Sequence, residues 1–197
     1  INFIDYFWRI KKECEKETFH DCIVRFQSED SLYFSKLRGF FSGVSYEKGK
    51  YICFTNQTGD APVFWYEKNG LFLVSNSVDY IIKVLKDKEI KCEIDERAIK
   101  YLLTFGYMID DSTIIMDIKR ITAGCYIEFC GQRVQEHSYY TFTNEPMDIT
   151  FDEAVNLVDR ECNKAVKRCL NKDREYGYKC HLVDISGGLD SRVINAA

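Results

Sequence analysis

Ser186-Gly187-Gly188-Leu189-Asp190-Ser191 decides how this chain is read. It follows a short apolar run at 180–185, which predicts a strand, and precedes a pattern at 189–197 that predicts a helix. Two adjacent glycines let a backbone approach a ligand with no Cβ in the way, and the first free N–H groups of a helix point back to the same spot. Such a turn is an anion cradle. Ser186 and Ser191 add hydroxyl donors, and the Asp190 carboxylate sits where a bound polyphosphate would bring magnesium.

A Gly-Gly turn with an aspartate in the first helical turn is also sound capping chemistry that needs no ligand. What favours the nucleotide reading is the full set Ser, Gly, Gly, Asp and Ser after an apolar strand. The pattern is not a Walker A loop, because no lysine follows a second, spaced glycine. The stretch resembles instead the PP-loop, SGGxDS, of ATP pyrophosphatases.

The 197 residues, 46% hydrophobic and 29% charged, suffice for one large domain or one domain plus part of another. A net charge of −4 with no basic tract gives no electrostatic reason to expect nucleic acid or an anionic membrane. The nine cysteines are odd in number and form no C-x-x-C pair, so they are expected to be reduced core thiols. Asp5 and Arg9 interrupt the apolar residues near Ile1, leaving neither a signal-peptide core nor a membrane span and predicting a cytoplasmic protein. His20, His137 and His181 lie in no nucleophile pattern and are expected to be structural.

Residues 2–18 carry Phe3, Ile4, Phe7, Trp8 and Cys14 near one helical face, predicting an amphipathic helix, and 22–26 predicts a strand. A helical turn is expected at 31–37. Antiparallel strands are expected over 40–46, 51–54, 63–67 and 71–74, the last two joined by Asn69-Gly70. Helices follow at 77–86 and, capped by Asp95, up to Gly106. Strands return over 113–134, broken at Thr122-Ala123-Gly124 and at Gly131-Gln132. The polar, aromatic stretch 139–147 contains Pro146 and marks the expected boundary between domains 1–145 and 146–197. Beyond it, Thr150 to Glu153 is a capping box for a helix with a stripe of Val155, Val158, Cys162, Ala165, Val166 and Cys169, and 171–177 reads as a charged loop. About two helical turns after the glycine loop the sequence stops, too soon to complete a doubly wound domain.

Six further groups of residues extend the resemblance. Leu37-Arg38-Gly39-Phe40-Phe41 with Tyr46-Glu47, Thr58-Gly59-Asp60-Ala61-Pro62 running on to Tyr66, and Phe72 to Ser77 are similar to successive segments of the glutaminase-like domain of asparagine synthetase. Leu102 to Tyr107, Ile118 to Gly124 and Tyr139 to Phe142 resemble the connection between that family's two domains. Together the likeness spans about residues 37 to 197, and only the SGGLDS stretch is sharply specific.

The resemblance implies an α+β chain: an incomplete αββα N-terminal-nucleophile-like glutaminase domain with antiparallel sheets, then the first helix, strand and loop of an α/β PP-loop domain. It implies ATP and magnesium, and a small-molecule carboxylate activated for amide formation, with a homodimer as a compatible assembly. Ser186, Gly187, Gly188, Asp190 and Ser191 would hold the ATP phosphates, Asp190 beside magnesium, while Asp184 and Ile185 would flank the adenosine. No catalytic residue is assigned. The family's glutaminase uses an N-terminal cysteine as nucleophile. Here Ile1 stands first, Cys14 and Cys22 lack the glycine-containing strand that should follow, and the arginine loop and Asn-Gly oxyanion segment have no counterpart among residues 1–36. Thr55 and Asn56 replace the arginine and aspartate usual before T-G-x-x-P, so glutamine hydrolysis is expected to be absent. Two other readings stand beside this one: a non-catalytic scaffold or partner-binding remnant, and a PP-loop enzyme acting on tRNA or another small acceptor, which the acidic balance and the upstream segments disfavour.

Overall fold

The computed structural model describes residues 7–9, 35, 37–47, 49–131, 133–175, 177, 179, 180 and 182–196. The chain divides into two compact units, Ile1–Phe142 and Thr143–Ala197.

In the first unit, β1 (Phe7–Arg9) pairs antiparallel with β2 (Leu37–Gly39). A four-stranded antiparallel sheet has the order β3 (Ser42–Glu47), β4 (Lys50–Thr55), β8 (Cys125–Phe129), β9 (Val134–Ser138). A three-stranded one has the order β6 (Leu71–Ser75), β5 (Phe64–Lys68), β7 (Ile118–Arg120). Asn69 and Gly70, at φ 54° and 77°, close the β5–β6 hairpin with Lys68 opposite Leu71. Two consecutive left-handed residues match the twist of the strands they join.

Every second residue of β5 and β6 faces one way, which sorts their apolar side chains into two cores. Tyr66, Phe64, Leu71 and Leu73 meet Ile81 and Leu85 of helix α1 (Val78–Asp87). Trp65, Phe72 and Val74 pack instead against Cys53, Ile127 and Cys125 of the other sheet. Phe72 stacks on Phe129 across the gap, ring centres 4.2 Å apart. Helix, sheet and sheet therefore lie in that order. On the far face of the four-stranded sheet Ile52 and Phe54 are also buried. Helix α2 (Glu96–Phe105) begins where the Asp95 carboxylate accepts from the Arg97 and Ala98 N–H groups and ends at Gly106 in the left-handed conformation. These are the expected α+β elements and antiparallel sheets.

One expectation fails within this unit. Phe7 to Arg9 are strand, not helix: contiguous aromatic residues suit a pleated edge, and pairing with β2 satisfies their backbone. The remainder of the helix expected at 2–18, the strand at 22–26, Cys14, Cys22 and His20 lie outside the described residues, as does most of the turn at 31–37.

In the second unit, α3 (Phe151–Glu175) starts with the expected capping box. The Thr150 N–H and hydroxyl both donate to the Glu153 carboxylate at 2.8 Å, and the Glu153 N–H donates to the Thr150 hydroxyl at 3.3 Å. That backbone hydrogen bond holds the Glu153 carboxyl below its ordinary range. The helix overruns the charged loop expected from residue 171, because nothing between Asn171 and Glu175 breaks it and the next glycine is Gly177. The strand expected at 180–185 is not formed: its described residues have no regular structure and Leu182 is 95% exposed. Strands exist by pairing, and no other strand is present among the described residues of this unit. Helix α4 (Asp190–Ala196) ends the described chain.

Six described cysteines are free, but only Cys53 and Cys125 are buried; Cys130, Cys162 and Cys180 are exposed and do not serve the core expected of them. Burial pushes the Cys53 thiol up to about 12 and, with Glu136 adding to it, Cys125 up to about 11. Among the described residues no helix is long and apolar enough to cross a membrane.

Candidate functional site

The glycine loop sits where the sequence places it, immediately before α4. Its serines close on each other. Ser186 Oγ lies 3.1 Å from Ser191 Oγ, the Ser186 N–H donates to Ser191 Oγ at 3.0 Å, and the Gly188 N–H donates to Ser186 Oγ at 3.2 Å. Two hydroxyls five residues apart thus curl the loop over itself. A Cβ on Gly187 would meet nothing within 4 Å, and one on Gly188 only Ser186 Oγ at 3.5 Å. The glycines are not needed to relieve crowding inside this loop; what they leave is open space on its outer face.

The N–H groups of Gly187 and Leu189 have no acceptor among the described residues. With the two hydroxyls they form a donor set suited to phosphate oxygens. Asp190, in the first turn of α4, is an exposed carboxylate, and Asp184 and Ile185 precede the loop, both exposed. No group of three or more metal-ligating side chains occurs among the described residues, so a magnesium ion here would take Asp190 together with phosphate oxygens rather than an all-protein cage. In the same unit a groove of about 590 Å³ separates α3 from α4, lined by Phe151, Val155, Val158, Cys162 and Val193 among others.

The first unit contains a second convergence that the sequence did not reveal. Four of the quoted segments meet at Thr55-Asn56, where Asn56 is buried beside the fully buried Thr55. The Asn56 amide donates to the Gly39 carbonyl at 3.3 Å and to the Thr58 hydroxyl at 2.9 Å, and its Oδ1 accepts from the Ala61 N–H at 3.3 Å. Its backbone carbonyl accepts from both Gly59 and Gly124 at 3.1 Å. The Thr55 hydroxyl donates to the Ala61 carbonyl at 2.7 Å, and the Thr58 hydroxyl to the Asp60 carboxylate. From the end of β9, the Tyr139 hydroxyl donates to the Thr55 carbonyl. Burial raises that phenol above its ordinary range, so it stays a donor.

Thr55 and Asn56, read from sequence as replacements for a charged pair, are therefore spent on holding a turn. An asparagine bridging its own loop in this way is common turn chemistry, and the N-Q-T-G spacing was the available signal. What no local pattern could supply was the arrival of Gly39, Gly124 and Tyr139. His137 stacks on Tyr126, ring centres 4.9 Å apart, in a structural rather than a nucleophile setting.

The four convergent segments and the seven strands β3 to β9 fall in the portion of the chain that known families recognise. Residues 17–140, well over half of the chain, match the model of the glutamine amidotransferase domain. The match stops short of the glycine loop. Comparison with curated proteins finds no match. By its folded core and by this match, the chain belongs to the glutamine amidotransferase domain family.

Proposed function

We propose that the chain is part of an asparagine synthetase-like, ATP-dependent amide-forming ligase, in which the amidotransferase domain has lost glutamine hydrolysis and residues 146–197 open a PP-loop domain. The observation that carries this reading is the pair of N–H groups, on Gly187 and Leu189, that have no acceptor among the described residues, in the same chain as an amidotransferase domain. Bound ATP would supply an adenylyl group that converts a carboxylate into an acyl donor, with pyrophosphate leaving. The residues do the holding. The Ser186 and Ser191 hydroxyls and the Gly187 and Leu189 N–H groups donate to the phosphates, which neutralises charge as pyrophosphate departs. Asp190 would hold magnesium, which would neutralise phosphate charge, and Asp184 and Ile185 would flank the adenosine. A free amine or ammonia then takes the acyl group and AMP leaves.

Loss of glutaminase rests on Thr55 and Asn56, whose side chains are consumed in hydrogen bonds to their own turn and to the Gly39 carbonyl and offer no charge to a substrate. The same reading makes the protein cytoplasmic, with a small-molecule carboxylate as partner rather than nucleic acid or membrane. The scaffold alternative is favoured by one observation, the mutual satisfaction of Ser186 and Ser191 without a ligand.

The test is equilibrium dialysis of the purified protein with magnesium-ATP, beside an ammonia-release assay with glutamine. Binding that disappears in Ser186→Ala and Asp190→Asn, with no ammonia released, supports the ligase reading. Absence of ATP binding supports the scaffold, and glutamate production overturns the loss of glutaminase.

A further inference from the structure

We infer that Tyr139, Gly124 and Asn56 form a clamp that ties the strand leaving the amidotransferase unit to the Thr55–Pro62 turn, so that the turn and the chain's exit hold or loosen together. Past Phe129 the chain folds back as β9, and beyond Tyr140 residues 141–150 are exposed and irregular. The last anchored residues are Tyr139 and Tyr140, whose N–H groups both donate to the Gly124 carbonyl, at 2.9 and 3.1 Å. The Gly124 N–H in turn donates to Asn56, the same carbonyl that accepts from Gly59 inside the turn. The Tyr139 hydroxyl reaches past Gly124 to the adjoining Thr55 carbonyl. One peptide segment, Thr55-Asn56, is thereby shared by the turn and the exit.

The position of Gly124 is built for this contact. Its φ is 69°, and a Cβ there would stand 2.4 Å from the Tyr140 carbonyl oxygen, so any side chain would push the exit strand away. Gly59 is also close: a Cβ on it would lie 3.1 Å from the Ala123 Cβ, a second approach of the 122–124 bend to the turn beside the Gly124 hydrogen bond. Tyr139 is 5% exposed, so its hydroxyl bond is shielded from competing water. Groups in one buried network couple energetically, and here the network has two ends in different parts of the sequence.

Amide hydrogen exchange of the whole protein, resolved by residue, tests the clamp. In Tyr139→Phe, which removes only the hydroxyl, exchange should rise about 3- to 10-fold, the equivalent of one hydrogen bond, at Gly124 and Tyr140 and also at Gly59 and Ala61. Asn56→Ala reads the link from the other end and should raise the same four amides even if Tyr139→Phe folds poorly. Thr113→Val removes another hydroxyl, one that donates to the Ile118 carbonyl at 2.8 Å, and should leave all four unchanged. The clamp is overturned if either variant loosens only its own end, or if Thr113→Val raises the four amides equally, which would report general destabilisation.

Discussion

The two units treat their apolar side chains in opposite ways. In Ile1–Phe142, Cys53, Phe54, Ile118 and Ile127 are at most 1% exposed, and each sheet strand of the core finds a partner. In Thr143–Ala197, Phe151 is 81% exposed, Leu182 95% and Leu189 74%, on a long helix, an irregular segment and a glycine loop. The first unit has a core of its own, whereas the second presents a loop in which the Gly187 and Leu189 N–H groups have no acceptor among the described residues. Burial of apolar area stabilises the first; the second is held mainly by local hydrogen bonds and helix formation.

This contrast breaks most easily in the core. Ile127→Ala should cost about 2–5 kcal/mol in urea unfolding, through lost burial and the cavity left behind. Val158→Ala, on the exposed face of α3, should change stability by less than about 0.5 kcal/mol. Equal effects would show that both units have comparable cores.

Glycines sharpen it next. Gly124→Ala forces a left-handed alanine, costing about 1–2 kcal/mol before its overlap with the Tyr140 carbonyl is added. Gly187→Ala meets open space, and its thermal midpoint should stay near that of the parent. A Gly187→Ala protein that melts as early as Gly124→Ala would contradict the division between a structural and a ligand-facing glycine.

Helix caps should have a smaller effect. Asp95→Ala removes two backbone hydrogen bonds and should lower the stability of the first unit by about 1 kcal/mol, measured by denaturation followed through the Trp65 region. Thr150→Ala should fray the start of α3 in circular dichroism and leave that transition where it is.

The smallest effect is in the thiols. At pH 8, Cys130, Cys162 and Cys180 should react with an alkylating reagent in the native protein, and Cys53 and Cys125 only on unfolding. An unfolded cysteine loses its proton near about 8.5. In the native state Cys53 and Cys125 keep theirs to about 12 and about 11, so their contribution to stability is complete below pH ~8.5 and falls as pH rises above it. A thermal midpoint that climbed between pH 8.5 and 11 would have the wrong sign.

What was legible in the sequence differs between the units for the same physical reason. Asn69-Gly70, the Asp95 cap, Gly106 and the Thr150 capping box act through neighbours three or four residues away, and all four appear as read. The 180–185 run has strand composition, yet a strand needs a second strand, and composition does not provide one. Phe7 to Arg9 were misread because aromatic spacing on a helical face and aromatic preference for a pleated edge coincide there. At the loop, the serines and glycines were legible by spacing, but their closure through Ser186 and Ser191 was not. Asn56 was visible only as a departure from a charged pair; its role depends on Gly39, Gly124 and Tyr139, residues brought in by the sheets.

The most direct measurement is a residue-resolved amide NMR titration with magnesium-ATP. The account predicts that signals of Gly187, Gly188 and Leu189 shift saturably while those of Gly59 and Gly124 stay in place, and that Asp190→Asn weakens the response. Signals at 187–189 that stay unmoved while ATP shifts others, or that do not move at all, would contradict it.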